Sequence, residues 1–275
     1  MNKKNNSENQ KSNLISYKNP NKMMVSPLKN DHVLIGLLFE NNQKRFEFYV
    51  WIFNTIEDKL LIEKKLHSDC STVFMATNNK DLIIISLADM TNKPSLKLYN
   101  FDMNIVKENN LKFQVSNLFC NANKIYIVSK QKQSFINIYD WNLSFLNAIG
   151  QSDAESNPYY FPSSDRIHNK NGIFFIIEKN NKIKLVSEQT GQLLKIIKLD
   201  TTDSELEIDQ DLNFHLLNKS KRFYSIYDSK GRYVFEKNLN EIRTFDSGIV
   251  EPVSFCLNDS GQIIINDDNS HLFIF

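Results

Sequence analysis

Short apolar runs of about five to eight residues recur along the chain from Ser12 onward, rich in Ile, Val, Phe, Tyr and Leu. Polar turns containing Asn, Asp, Lys or Gly separate them. No window sustains a 3.6-residue period, so the pattern predicts strands throughout and few helices. A smaller signal sits on top of this one. An apolar couplet returns at Ile52-Phe53, Leu98-Tyr99, Ile138-Tyr139, Leu185-Val186, Ile226-Tyr227 and Ile274-Phe275. The step between couplets is roughly 40 to 48 residues, the length of a four-stranded propeller blade. Four couplets run directly into Asn54, Asn100, Asp140 or Asp228. A period of this length means one supersecondary unit, repeated and packed against its neighbours.

The expected fold is an all-β, six-bladed β-propeller of four-stranded blades. Blade one is read from Val33–Phe39, Phe46–Phe53 and Lys59–Leu66, and blade two from Thr72–Thr77, Leu82–Leu87, Ser95–Tyr99 and Ile105–Glu108. Blade three takes Phe113–Cys120, Lys124–Ser129, Phe135–Asp140 and Ser144–Ile149. Blade four takes Ser164–His168, Ile173–Glu178, Lys182–Ser187 and Leu193–Lys198. Blade five takes Glu205–Ile208, Leu212–Leu217, Arg222–Tyr227 and Tyr233–Lys237, and blade six Val253–Leu257, Gln262–Asn266 and His271–Phe275. Blade six is one strand short, and a bare edge invites unwanted pairing. The apolar run Asn13–Tyr17 is expected to pair with His271–Phe275 and close the ring. Residues 1–11 are polar and expected to be a disordered tail, leaving 12–275 as a single domain.

Composition narrows the classes. The formal net charge of the 275 residues is +1, which argues against a surface devoted to nucleic acid. Cys70, Cys120 and Cys256 are far apart with no CxxC pair, so they read as buried thiols rather than disulfides or zinc ligands. That suits a reducing, cytoplasmic setting. Met1–Gln10 has no apolar core of a signal peptide, and no stretch approaches the roughly 18 apolar residues of a membrane span.

Two segments resemble NHL repeats, the propeller repeat of the TRIM-NHL proteins. One runs from Pro162 through Gly172, Phe174-Phe175-Ile176, Glu178, Asn180-Asn181, Lys182 and Leu185-Val186 to Gly191. The other runs from Pro252 through Gly261, Ile263–Ile265, Asp267, Asn269 and His271 to Phe275. Glu178 and His271 stand where the family has Asp and Arg. No Trp-Asp ending with an upstream Gly-His is found, so the WD40 pattern fits less well. The resemblance implies a recognition propeller related to TRIM-NHL substrate binding, or one that binds RNA. The RING and B-box zinc ligands of those proteins are absent from this sequence.

No catalytic constellation is legible. His32, His67, His168, His215 and His271 form no HxH or HExxH, and there is no GxSxG, P-loop or GxGxxG. The expectation is a non-enzymatic monomer without cofactor or metal that binds a protein or peptide on its loop face. The long connection Gln151–Pro162 carries Tyr159, Tyr160 and Phe161, favoured interface residues and the first candidates for that contact. The alternative is RNA binding through basic loops, with Lys130, Lys132, Lys219, Lys221 and Arg222 as its residues. A metal-dependent propeller hydrolase, with Asn, Asp and Glu converging on the channel, is the second alternative.

Overall fold

The computed structural model describes residues 22–40, 45–57, 59–78, 81–89, 93–129, 136–149, 166–177, 182–199, 204–241, 252–257, 261–267 and 272–274. The described chain is a succession of antiparallel meanders with one 3₁₀ turn, Leu239–Glu241. The first meander contains β1 (Lys22–Pro27), β2 (His32–Glu40), β3 (Phe46–Asn54), β4 (Lys59–Thr77), β5 (Ile83–Asp89), β6 (Pro94–Tyr99) and β7 (Ile105–Asn110), paired in that order. The second contains β8 (Val115–Cys120), β9 (Lys124–Ser129), β10 (Ile136–Asp140) and β11 (Phe145–Ile149). The third contains β12 (Arg166–Lys170), β13 (Ile173–Ile177), β14 (Lys182–Ser187) and β15 (Leu193–Lys198), and the fourth β16 (Ser204–Ile208), β17 (Phe214–Asn218), β18 (Phe223–Tyr227) and β19 (Tyr233–Asn238). The last contains β20 (Pro252–Leu257), β21 (Ile263–Asp267) and β22 (Leu272–Ile274).

Six separate four-stranded blades are therefore not what the hydrogen bonds draw. The described strands form five sheets, of seven, four, four, four and three strands. The difference lies in β4, which was expected to end at Leu66. Leu66-His67-Ser68-Asp69-Cys70 holds no Gly or Pro to break the chain, and the strand runs on. Its first part pairs with β3 as far as Cys70, and from Cys70 onward it pairs with β5.

A second correction concerns β1. Blade one was read without it, because Lys22, Ser26 and Pro27 interrupt its apolar pattern. It pairs with β2 over its whole length. The expected closing strand Asn13–Tyr17 lies outside the described residues. β22 is the last strand of its sheet among the described residues.

Packing closes the circle. The strands β1, β4, β8, β12, β16 and β20 neighbour one another in that order, and β20 returns to β1. Between them lie six apolar clusters, each shared by consecutive units. The alternation of strand side chains explains how one strand serves two clusters. In β13, Phe174 packs towards β8–β11 and Phe175 towards β16–β19. In β21, Ile265 joins Leu217 and Tyr224, whereas Ile264 joins Met23, Val33, Ile35 and Leu37 from the opposite end of the chain. Strands buried on both faces lose the polar half of their alternation. This is why Ile83–Ile85 in β5, the whole of β13 and Ile263–Ile265 in β21 read as continuous apolar runs.

Candidate functional site

The couplet acquires a geometry at the turn that follows it. Asn100, Asp140 and Asp228 each cap a tight turn, their side-chain Oδ1 accepting from the backbone N–H of Asn104, Ser144 and Arg232. The fourth residue of each turn is left-handed: Met103 at φ 58°, Leu143 at 56° and Gly231 at 81°. A left-handed Met or Leu is uncommon. Here both side chains are buried in the clusters between units, which holds the strained backbone in place. At Gly231 the corresponding space belongs to Ile197, whose Cγ2 lies 2.4 Å from where a Cβ would stand.

After the turn, the outer strand bulges inside the couplet. The register shifts between Ile52/Phe53, Leu98/Tyr99, Ile138/Tyr139, Leu185/Val186 and Ile226/Tyr227. One extra residue is thereby placed on the outer strand each time: Leu61, Val106, Leu146, Leu194 and Val234. A bulge re-aims the side chain it carries. All five are aliphatic, and they are 36%, 57%, 50%, 54% and 59% exposed. The residue before four of them is a large exposed hydrophobe: Ile105, Phe145, Leu193 and Tyr233. Phe145 and Tyr233 lean edge-on against the couplet tyrosines Tyr139 and Tyr227, at 5.6 and 5.8 Å between centroids. The circumference thus presents an exposed apolar pair on β7, β11, β15 and β19, strands that are last in their sheets among the described residues.

The axis presents different chemistry. A channel of about 1030 Å³ is lined from β1, β4, β8, β12, β16 and β20 by Ser26, Thr77, Asn121, His168, Glu205 and their neighbours. Its wall is tied together by polar bonds, several of them between sheets. Ser26 and Thr77 share a hydroxyl bond of 2.9 Å, and Cys120 donates its thiol to the Thr77 carbonyl. Asn121 donates to Asn169 and to the Tyr126 hydroxyl. Glu188, on the turn between β14 and β15, accepts from Tyr126 at 3.0 Å, from Asn169 at 2.9 Å and from Lys124. Burial, then the Glu188 carboxylate, pushes the Tyr126 hydroxyl well above its usual value, so it remains a donor.

A second network joins Asp209, His215 and Tyr224. His215 Nε2 is hydrogen-bonded to Asp209 Oδ2 at 3.0 Å, and its Nδ1 is hydrogen-bonded to the buried Tyr224 hydroxyl. Burial works to raise the Asp209 carboxyl, but the bonds from His215 and Asn213 outweigh it and hold the group below the ordinary carboxylate range. The stability this depressed group contributes is present above its unfolded value near pH 4. It is lost as pH falls through the lower folded value. His215→Leu is expected to cost about 1–3 kcal/mol at neutral pH, because Tyr224 and Asp209 lose their partner. Urea titrations should find the gap between variant and wild type narrowing below about pH 4.

The expected site residues fall as follows. Tyr159, Tyr160 and Phe161, and likewise Lys130 and Lys132, lie outside the described residues. Lys219, Lys221 and Arg222 share the Asn218-capped turn between β17 and β18. Lys219 is paired with Glu205 at 2.7 Å, and the Arg222 guanidinium donates to Asn240. Cys70 and Cys256 are buried free thiols, and Cys120 lines the channel. Burial pushes the Cys70 thiol up to about 11. Among the described residues no group of three His, Cys, Asp or Glu is arranged to hold a metal ion. No helix among them is long and apolar enough to cross a membrane. The exposed outer-strand hydrophobes are not among the site residues expected from sequence. Only the doubling of apolar residues just after a polar turn marks them in the sequence.

No family model and no curated protein matches the chain, so the NHL resemblance rests on the residues quoted for it alone. Solved structures do match, and they agree on a β-propeller. A protein of unknown function from Bacteroides caccae is 14% identical, with a TM-score of 0.57 over 86% of this chain and 82% of that one. Hsv2 of Kluyvelomyces marxianus is 11% identical, with a TM-score of 0.52 over 94% and 76%. The WD40 β-propeller domain of Doa1 is 13% identical, with a TM-score of 0.52 over 94% and 90%.

Proposed function

We propose that this chain is a six-bladed, non-catalytic interaction propeller that docks protein segments on its circumference. The blade count treats the seven-stranded sheet as two meanders sharing β4. The six apolar clusters, one between each pair of neighbours, support that division. The observation that carries the function is the bulged, exposed aliphatic repeated in five units. A solvated rim has no use for such a series, whereas exposed apolar rows beside open strand edges mark interaction surfaces. The loop-face candidates Tyr159, Tyr160 and Phe161 are a second patch on the same platform.

The test is affinity purification of the tagged full chain against the triple variant Leu146→Lys, Leu194→Lys, Val234→Lys. These side chains are half exposed, so melting should change little. Loss of co-purifying proteins supports circumferential docking. An unchanged set of partners overturns it. Loss confined to the triple alanine variant of Tyr159, Tyr160 and Phe161 moves the contact to the loop face and overturns it as well.

A further inference from the structure

Among the outer edges, that of β15 stands apart in its charge. The strands β12–β15 carry Arg166, Lys170, Lys182, Lys184, Lys195 and Lys198 and not one carboxylate. The neighbouring β16–β19 carry Glu205, Glu207 and Glu236 against a single lysine, Lys237. On the outer strand, Lys195 and Lys198 are exposed, and Leu194 and Ile196 on either side of Lys195 are about half exposed. Lys198 sits directly opposite Lys182 in the β14–β15 register. Like charges directly opposed cost stability, and carboxylates brought alongside would relieve them. Among the described residues β15 is also the last strand of its sheet, so its outer backbone groups face away from β14.

We propose that β15 is the docking edge for an extended acidic segment of a partner protein, which adds to the sheet as a fifth strand. The proposal rests on the reading of the chain as an interaction module and names the chemistry of one of its partners. The register dictates the spacing. A strand paired along residues 195–198 meets Lys195, then Ile196, then the buried Ile197, then Lys198. The incoming segment therefore carries two acidic residues three positions apart, with an apolar residue facing Ile196. Backbone pairing supplies affinity and the alternating side chains supply selection, the usual division in strand addition. A nucleic acid fits this edge less well. β15 offers no aromatic platform for bases, and its aliphatic side chains have nothing to pair with along a phosphate backbone.

Fluorescence anisotropy of the full chain with a labelled peptide built on Glu-Val-Thr-Glu tests the proposal. Binding is expected to weaken at least about tenfold in the Lys195→Glu, Lys198→Glu variant and to fall with added salt. Methylating alternate backbone nitrogens of the peptide, with its charges intact, should abolish binding to the unmodified protein. That arm does not depend on any variant folding. Lys198→Glu alone, opposite Lys182, is expected to leave the melting temperature unchanged or raise it. Equal binding by the charge-reversed variant, or by the methylated peptide, overturns the proposal. So does binding of oligouridylate or phosphatidylserine vesicles by a protein that ignores the peptide. Partners that depend on Leu146 and Val234 would survive that outcome, which separates it from failure of the platform itself.

Discussion

Ile264→Ala and Ile265→Ala are expected to destabilise the protein equally, by about 2–5 kcal/mol each, in one cooperative transition. The two residues are adjacent in β21 and fully buried. Ile265 faces the unit before it in sequence, and Ile264 faces β1–β3, more than two hundred residues away along the chain. In an open stack the last unit has one neighbour, and Ile264 would look into solvent. Its truncation would then cost little, and any effect would be confined to fraying of the final strands. In a closed circle there is no terminal unit, so both faces of β21 count alike. The packing of β1 against β20 and β21 predicts the second behaviour. Equilibrium urea unfolding, followed by tryptophan fluorescence from Trp51 in the closing cluster and by far-ultraviolet dichroism, distinguishes the two. Coincident curves with matching losses support closure through this interface. A cost below about 0.5 kcal/mol for Ile264→Ala removes it.

The couplet was legible because its causes are local. Its apolar pair ends a buried strand, and the Asn or Asp that follows caps a turn through its own side chain. The bulge that makes the couplet useful was not legible. It depends on which residue of the next strand pairs with which, and an extra Leu or Val in an apolar run looks like more core. β1 was missed for the opposite reason. Lining a channel, it exchanges apolar positions for Lys22 and Ser26, and its signal falls below that of a strand. β4 reads as two strands because the polar stretch His67-Ser68-Asp69 has the composition of a turn; the strand instead absorbs it as irregular register against β3. The networks were beyond reach from sequence. Asn121 and Asn169 are 48 residues apart and Lys124 and Glu188 are 64, distances at which no pattern along one chain reports a bond.

Glu188→Ala is expected to cost about 2–4 kcal/mol. The position explains why. In the turns after β6 and β10, the residue following the cap is Phe101 or Trp141, and each packs into the cluster between its unit and the preceding one. After β14 the same position is Glu188, so a carboxylate points where neighbouring turns insert a ring. It is tolerated because Tyr126, Asn169 and Lys124 all donate to it. Lys124 is 39% exposed and can turn to water once the carboxylate is gone. The Tyr126 hydroxyl and the Asn169 amide have no such escape, and their unmet bonding sets the cost. The pairing of Glu188 with Tyr126 therefore predicts strong coupling. Tyr126→Phe alone should cost about 1 kcal/mol, whereas in the Glu188→Ala background it should cost nothing or restore part of the loss. Additive losses in that cycle would place the stabilisation in Glu188's packing rather than in its bonds. Glu188→Gln should fall between the extremes, since one amide oxygen can serve Tyr126 or Asn169 but offers no charge to Lys124. Because this bridge joins β8–β11 to β12–β15, its loss should also loosen the channel wall at Asn121 and Asn169. Faster amide exchange in β8 and β12, with β20 unaffected, is the measurement that locates the damage.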